Sequence, residues 1–369
     1  MPTPATLSRR ALNRATLSRQ LLLERSSLRP HDALHTLAGL QAQAPLAPHV
    51  GLWSRLRDYC PSALDELYDT RRVLRANLMR ATVHLVTAED ALRWQALCAP
   101  VSARAVQAAF GKRLAGVDLD ALTTAAARLL ADSALTTAEL GARLAEQFPG
   151  YEADALAYGA RGRLGLVHVP PRGKWNVSAP TRQTTYAAYL EREPDPTATP
   201  DGMFLRYLAA FGPASVQDAQ AWSGLRRLSE VAARLLPELV VFRDADGHTL
   251  YDLRHAPRPS EFVPAPVRFL PEYDNVFFGY ADRTRFVPDR TKPPIPPGNG
   301  ARTGTVFVDG EWRATWRIAL PKEAGPAVVT VTRLQKLAAA EQEAVEREGA
   351  ELARFIAGPD SPVRVEITG

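Results

Sequence analysis

Gln41-Ala42-Gln43, set in Leu40-Gln-Ala-Gln-Ala-Pro-Leu-Ala-Pro-His-Val-Gly-Leu-Trp53, is the stretch whose residue types most directly suggest chemistry. A carboxamide does not titrate in the useful range, so neither glutamine is a general base. Each can still donate and accept hydrogen bonds, and together they can hold a water molecule. That is enough to hydrolyse a bond whose leaving group departs readily, such as the glycosidic bond of a cationic alkylated purine. An amide pair on a helix surface or loop would produce the same triplet, so context must decide.

Carboxylates are the natural competitors for an acid–base role. Asp58, Asp65, Glu66 and Asp69 lie downstream, and Glu272 and Asp274 sit in Leu270-Pro-Glu-Tyr-Asp-Asn275. Such residues commonly cap turns or pair with arginine, and Tyr273-Asp274-Asn275 and Asp282-Arg283 read as buried hydrogen bonds and Arg pairs that lock the C-terminal strands to the helices. His84, beside Thr82 on an expected strand, is either a structural histidine or a polar wall of the Gln41/Gln43 site, and Trp53 is the second candidate pocket residue. No Gly-x-Gly-x-x-Gly follows a strand, and Walker, His-Glu-x-x-His and Gly-x-Ser-x-Gly patterns are missing. The two cysteines, Cys60 and Cys98, have no metal-ligand spacing. Neither a metal nor a cofactor is expected.

The 369 residues suit several compact units, and a hydrophobic fraction of 46% excludes wholesale disorder. Lys and Arg outnumber Asp and Glu by 45 to 40, for a formal charge of +5, which permits nucleic-acid binding without proving it. No apolar run approaches the roughly 18 residues of a membrane span. A cytoplasmic, reduced, monomeric protein is expected.

Helical periodicity runs through residues 5–58, where Arg9, Arg10, Arg14 and Arg19 would be free to meet phosphates or form a solvated face. Residues 71–80 and 81–86 alternate as two strands of a hairpin carrying Arg71, Arg72, Arg75 and Arg80, and Thr87-Ala-Glu-Asp90 caps the next helix. A second helix–helix–hairpin order follows. Thr136-Thr-Ala-Glu139 is a capping box, 152–163 is helical, and strands 166–169 and 174–177 flank a Pro170-Pro-Arg-Gly173 turn with Arg172 and Lys174 at its tip. After the proline-rich 195–200 linker the order recurs with helices from Met203, Ser215 and Leu225 and a hairpin turning at Asp244–Gly247. Beyond Pro257, short strands separated by Pro and Gly suggest a small antiparallel barrel, with a helix at 335–356 and a last strand at 363–368. The expected fold is α+β, three tandem winged helix-turn-helix units followed by that barrel, divided 1–115, 116–194, 195–256 and 257–369.

Gln41-Ala-Gln43 with Ala-Pro-Leu-Ala-Pro-His49, then Arg80-Ala-Thr-Val-His-Leu-Val-Thr-Ala-Glu-Asp90, resembles the AlkZ-type (YcaQ-like) winged-helix DNA glycosylases. Leu270-Pro-Glu-Tyr-Asp-Asn-Val-Phe-Phe-Gly-Tyr-Ala-Asp-Arg-Thr-Arg285, Gly304-Thr-Val-Phe-Val-Asp-Gly310 and Trp316-Arg317 are similar to that family's C-terminal signatures, so the likeness spans most of the chain. The resemblance implies that Gln41 and Gln43 are the catalytic pair. It also implies that the substrate is double-stranded DNA carrying alkylated bases and that an abasic site remains. The second position is Gln where a Gln-x-Asp branch has an acid, a form associated with bulky or crosslinked alkylguanines. No Lys lies near the pair in sequence to form a Schiff base, so strand cleavage is not expected. Arg71, Arg72, Arg75, Arg80, Arg172, Lys174, Arg283 and Arg285 are the expected DNA contacts. A winged-helix regulator without activity is the rival.

Overall fold

The computed structural model describes residues 4–287, 303–321 and 325–369. The stretch Asp289-Arg-Thr-Lys-Pro-Pro-Ile-Pro-Pro-Gly298, which with Asp282-Arg-Thr-Arg285 reads from the sequence as a basic, proline-stiffened loop, lies outside them.

Ser8 caps α1 (Arg9–Arg19) by accepting from the Ala11 amide. A short α2 (Pro30–Thr36) ends where Ala38 and Gly39 turn to positive φ, 56° and 84°. The helical periodicity therefore stops short of Leu40, and β1 (Leu40–Gln41) runs as a strand instead. Next come α3 (Ala47–Trp53) and α4 (Pro61–Asp69), each with a proline in its first turn. The hairpin β2 (Val73–Asn77) and β3 (Val83–Thr87) is closed by a 3₁₀ turn, Met79–Ala81, in which Arg80 and Ala81 are left-handed. The strand expected to reach residue 80 is thus shorter.

Thr87 caps α5 (Ala88–Phe110) as expected, by accepting from the Asp90 amide. A compact trio, α6 (Leu119–Asp132), α7 (Thr137–Gln147) and α8 (Ala153–Arg163), follows, with the Thr136/Glu139 capping box opening α7. β4 (Leu166–Val169) pairs with β5 (Arg182–Thr185), not with residues 174–177. Those residues are drawn elsewhere: the Trp175 amide donates to Asp65 at 3.1 Å, and its ring lies 5.1 Å from His49. After α9 (Tyr186–Leu190) come α10 (Pro200–Phe211), α11 (Val216–Ser223) and α12 (Leu228–Leu235), then the hairpin β6 (Leu239–Arg243) and β7 (Thr249–Leu253). The C-terminal part comprises β8 (Arg268–Leu270), α13 (Asn275–Phe278), β9 (Gly304–Val308), β10 (Glu311–Ala319), β11 (Ala327–Arg333), α14 (Ala339–Ala357) and β12 (Val363–Thr368).

Two of the expected units share a sheet. The strand order is β1-β3-β2-β4-β5, and β2 pairs with β4 through Arg75–His168 and Ala76–Val167. The expected C-terminal barrel is instead an open sheet of order β12-β11-β10-β9-β8, with β8 and β12 at its edges among the described residues. The reason is α14, which carries the chain across one face so that β12 returns parallel to β11. Val329, Val331, Val345 and Leu352 fill that side, while Phe307 and Trp312 join the main core on the other. With both faces covered, the sheet has no interior to close around.

The N-terminal helix is the strut between these layers. Arg19 makes a bidentate pair with Asp252 of β7 at 2.7 and 2.8 Å, and Arg14 pairs with Asp309 after β9. Both arginines are buried. The expectation that they meet phosphates is corrected: on α1 they are internal ties, while Arg10 is half-exposed and bonded to Asp309 at 2.8 Å.

Candidate active site

β1 is an edge strand, and edges need partners. Inside the sheet Gln41 pairs with His84 of β3, and the Ala42 amide donates to Val83 at 2.7 Å. On the open side Asn275, the first residue of α13, takes the place of a further strand. Its Oδ1 accepts from the Gln41 amide at 3.2 Å and its Nδ2 donates to the Gly39 carbonyl. Arg75 donates to the Ala42 carbonyl at 2.8 Å. The backbone from Gly39 to Ala42 is therefore fixed on all sides.

α13 is itself anchored. Asp274 caps it and forms a bidentate pair with Arg55, 2.8 Å on each arm, with both side chains fully buried. The Ser54 hydroxyl donates to the Phe269 carbonyl. These contacts bear out the structural reading of Asp274 and Asn275.

Cross-strand partners project to the same face, so Gln41 and His84 stand together. Arg80 Nη2 donates to Gln41 Oε1 at 2.7 Å and lies 3.4 Å from His84 Nε2. Gln41 Nε2 donates to Gln43 Oε1 at 2.5 Å. Gln41 is buried and Gln43 half-buried, so the line of groups runs from the interior outward. Burial, reinforced by the Arg80 charge, pushes His84 down to about 3. The same burial, with Arg283 nearby, lowers Arg80 to about 10. At neutral pH the site therefore holds two amides, a neutral imidazole and one guanidinium.

The structure gathers Gln41, Gln43, Arg80 and His84, and brings Arg283 close: its guanidinium and that of Arg80 lie 5.4 and 5.6 Å from the Phe278 ring centroid. Trp53 stacks on Phe355 of α14 at 5.7 Å, with Arg25 over its ring. Arg75 is buried against Ala42 and Arg172 carbonyls, and Arg285 is buried over Tyr280 with its Nη1 on Thr16 and Pro213. As placed, both are internal ties, not surface cations. Arg71 and Arg72 are exposed, while Arg172 and Lys174 are half-buried, with Lys174 bonded to Asp69. Asn275 was read from sequence as structural only; its direct hold on Gln41 is set by a contact across 234 positions, which no local pattern signals.

Among the described residues, Asp244, Asp246 and His248 place ligand-type atoms within 4.8 Å of one another at the β6–β7 turn. The Asp244 carboxylate accepts from the Asp246 and His248 amides and pairs with the His248 ring, which accounts for the cluster as a turn. No helix among the described residues is long and apolar enough to cross a membrane.

Comparison with known proteins follows the same lines. A family model described as DNA glycosylase AlkZ-like matches residues 34–355. An interstrand DNA cross-link repair glycosylase of Streptomyces sahachiroi is 25% identical over 373 residues, covering 95% of this chain and 96% of that protein. The solved structure of the Streptomyces sahachiroi DNA glycosylase AlkZ superposes with a TM-score of 0.70 at 20% identity, over 98% of this chain and 100% of that one. At that identity the superposition speaks to the fold.

Proposed function

The chain belongs to the AlkZ-like DNA glycosylase family and is a hydrolase of N-glycosyl bonds; from that premise we propose that Gln41 and Gln43 hold the attacking water and that the substrate is an alkylated purine in duplex DNA. The observation that carries this reading is the hydrogen-bonded line Arg80–Gln41–Gln43, which runs from Gln41 on β1 to a half-buried amide just past the end of that strand. Groups locked by a surrounding shell hold a reactant in one geometry, which is most of what an easy hydrolysis needs.

The C1′–N9 bond breaks first in character: its electron pair passes into the cationic purine, which leaves neutral. The water oxygen bonds to C1′, its proton passes to solvent, and an abasic site remains. The positive charge that develops on the sugar is met by amide and water dipoles, with no titrating base required. N7-alkylguanine is the proposed lesion. A relative named for interstrand cross-link repair supports bulky and crosslinked adducts as further substrates. Monomeric action, winged-helix geometry in the segments 1–115, 116–194 and 195–256, and a backbone grip by Arg71, Arg72, Arg172, Lys174 and Arg283 complete the proposal. The third of these segments best supports the winged-helix reading, with α10, α11 and α12 followed, after a 3₁₀ turn at Leu236–Glu238, by the β6–β7 hairpin. Membership in a glycosylase family weighs against the rival regulator.

The test is base release from an oligonucleotide bearing one N7-methylguanine, with abasic sites revealed by alkali. Gln41→Ala/Gln43→Ala is expected to lose release by roughly two orders of magnitude or more while DNA binding and thermal melting persist. No release by the wild type from this lesion, from N3-methyladenine or from a bulky N7 adduct would overturn the proposal.

A further inference from the structure

A carboxamide has nearly the same shape with its oxygen and nitrogen exchanged, so something must decide which end each glutamine presents. A guanidinium donates and never accepts. Because Arg80 Nη2 lies 2.7 Å from the Gln41 side chain, the atom facing it must be Oε1. Gln41 Nε2 then points to Gln43, and across 2.5 Å only Gln43 Oε1 can receive it. One guanidinium thus sets the sense of both amides in turn.

Arg80 is held firmly enough to do this. Its Nη1 donates to the Trp222 carbonyl at 2.5 Å, at the end of α11. Its backbone is left-handed, φ 54°, and abuts Gly224, where an added Cβ would come within 3.3 Å of the Arg80 N and Cα. His84 closes the opposite side. Its Nδ1 is 2.9 Å from the Thr82 carbonyl, which can only accept, so Nδ1 carries the proton and Nε2 turns its lone pair to Arg80. Backbone carbonyls at Thr82 and Trp222 therefore fix the polarity of the whole line. Both Nη atoms of Arg80 are engaged inside the protein, the reverse of what a phosphate contact requires.

We propose that Arg80 is a positioning residue for the glycosylase reaction, fixing the orientation of the Gln41 and Gln43 amides without touching DNA. The inference rests on the reading of Gln41 and Gln43 as the water-holding pair. Without Arg80, the Gln41 amide can turn over and present its oxygen, an acceptor, to Gln43, whose own amide must then reverse to supply a donor.

Two readouts separate this inference from the activity on which it builds. The first needs no substrate: side-chain amide NMR signals in protein labelled with ¹⁵N-glutamine, those of Gln41 and Gln43 assigned by their loss in Gln41→Leu and Gln43→Leu. Arg80→Met is expected to move both pairs of signals. The second is single-turnover base release at saturating enzyme, alongside the Kd for the same duplex. Arg80→Met should slow release about 100-fold with Kd changed by less than about threefold, and Arg80→Lys, which keeps one donor for Gln41, should recover about tenfold. Should Arg80→Met fail to fold, Arg80→Gln carries the same comparison. Unmoved amide signals, or a weakened Kd with an unchanged rate at saturation, would overturn the inference and make Arg80 a DNA contact. Wild-type protein that releases no base, with amide signals still dependent on Arg80, would instead overturn the catalytic reading of the glutamines and leave the positioning intact.

Discussion

His84 sits neutral between Thr82 and Arg80, and this has a cost that depends on pH. Its folded value, about 3, lies below the 6.5 of a free imidazole, so the unfolded chain takes up a proton first as the solution is acidified. Stability contributed by neutral His84 is complete above about pH 6.5 and falls as pH drops toward the folded value. At pH 5.5 the loss from this residue alone is on the order of 1 kcal/mol. His49 and His168, both lowered chiefly by burial, act in the same direction. The melting temperature should therefore fall between pH 7 and pH 5, and His84→Asn should flatten part of that fall; an unchanged slope would mean that His84 titrates normally. Single-turnover base release should meanwhile stay level from pH 6 to 8.5, since none of Gln41, Gln43, Arg80 and His84 changes charge there.

At the scale of elements, the site depends on the abrupt end of α2. Gly39 has φ 84°, and a Cβ there would lie 2.5 Å from Val86 Cγ1 and 2.9 Å from the Leu85 carbonyl. A backbone oxygen inside a sheet cannot step aside, so Gly39→Ala must push β1 away from β3 and carry Gln41 with it. A displacement of about 1 Å is expected to cost roughly 100-fold in base release, beside about 1–2 kcal/mol of backbone strain. Gly247 supplies the control. It has the same φ, 84°, in the β6–β7 turn, with nothing within 4 Å of an added Cβ. Gly247→Ala should show the strain in melting and no change in rate. Equal rates for the two variants would show that β1 placement does not limit catalysis.

Across the whole molecule, the parts that frame Gln41 come from distant stretches of chain. Arg55 and Asp274, 219 positions apart, fix α13 to the segment after α3, and Arg25 ties the N-terminal region to Glu348 of α14 at 2.7 Å. The C-terminal sheet is in this sense a brace for the strand edge that bears the glutamines. Arg71 and Arg72, both exposed, lie elsewhere, at the start of the β2–β3 hairpin. If Arg71 and Arg72 each neutralise a phosphate, Arg71→Ala/Arg72→Ala should reduce the slope of log K against log salt by about 2, with base release at saturation preserved. An unaltered slope would remove the hairpin from the DNA interface.

Much was legible in the chain before folding. The Gln41-Ala-Gln43 motif, the caps at Thr87, Thr136 and Ser215, and the β6–β7 turn are local: each depends on residues a few positions apart, and each stands where the spacing put it. What the chain alone did not determine was pairing at a distance. Residues 174–177 alternate like a strand, yet Trp175 is held by Asp65 and His49, and Arg182–Thr185 takes the place beside β4. The strands after Pro257 suit a barrel, but α14 covers one face and returns the chain parallel, which leaves the sheet open. Arginine alone does not announce whether it meets solvent: Arg14, Arg19 and Arg75 found partners inside, and Arg71 and Arg72 did not go in. Local hydrogen bonds and periodicity are short-range and written in neighbouring residues, whereas burial, charge pairing and the orientation of the two amides depend on groups that only the folded chain brings within 3 Å.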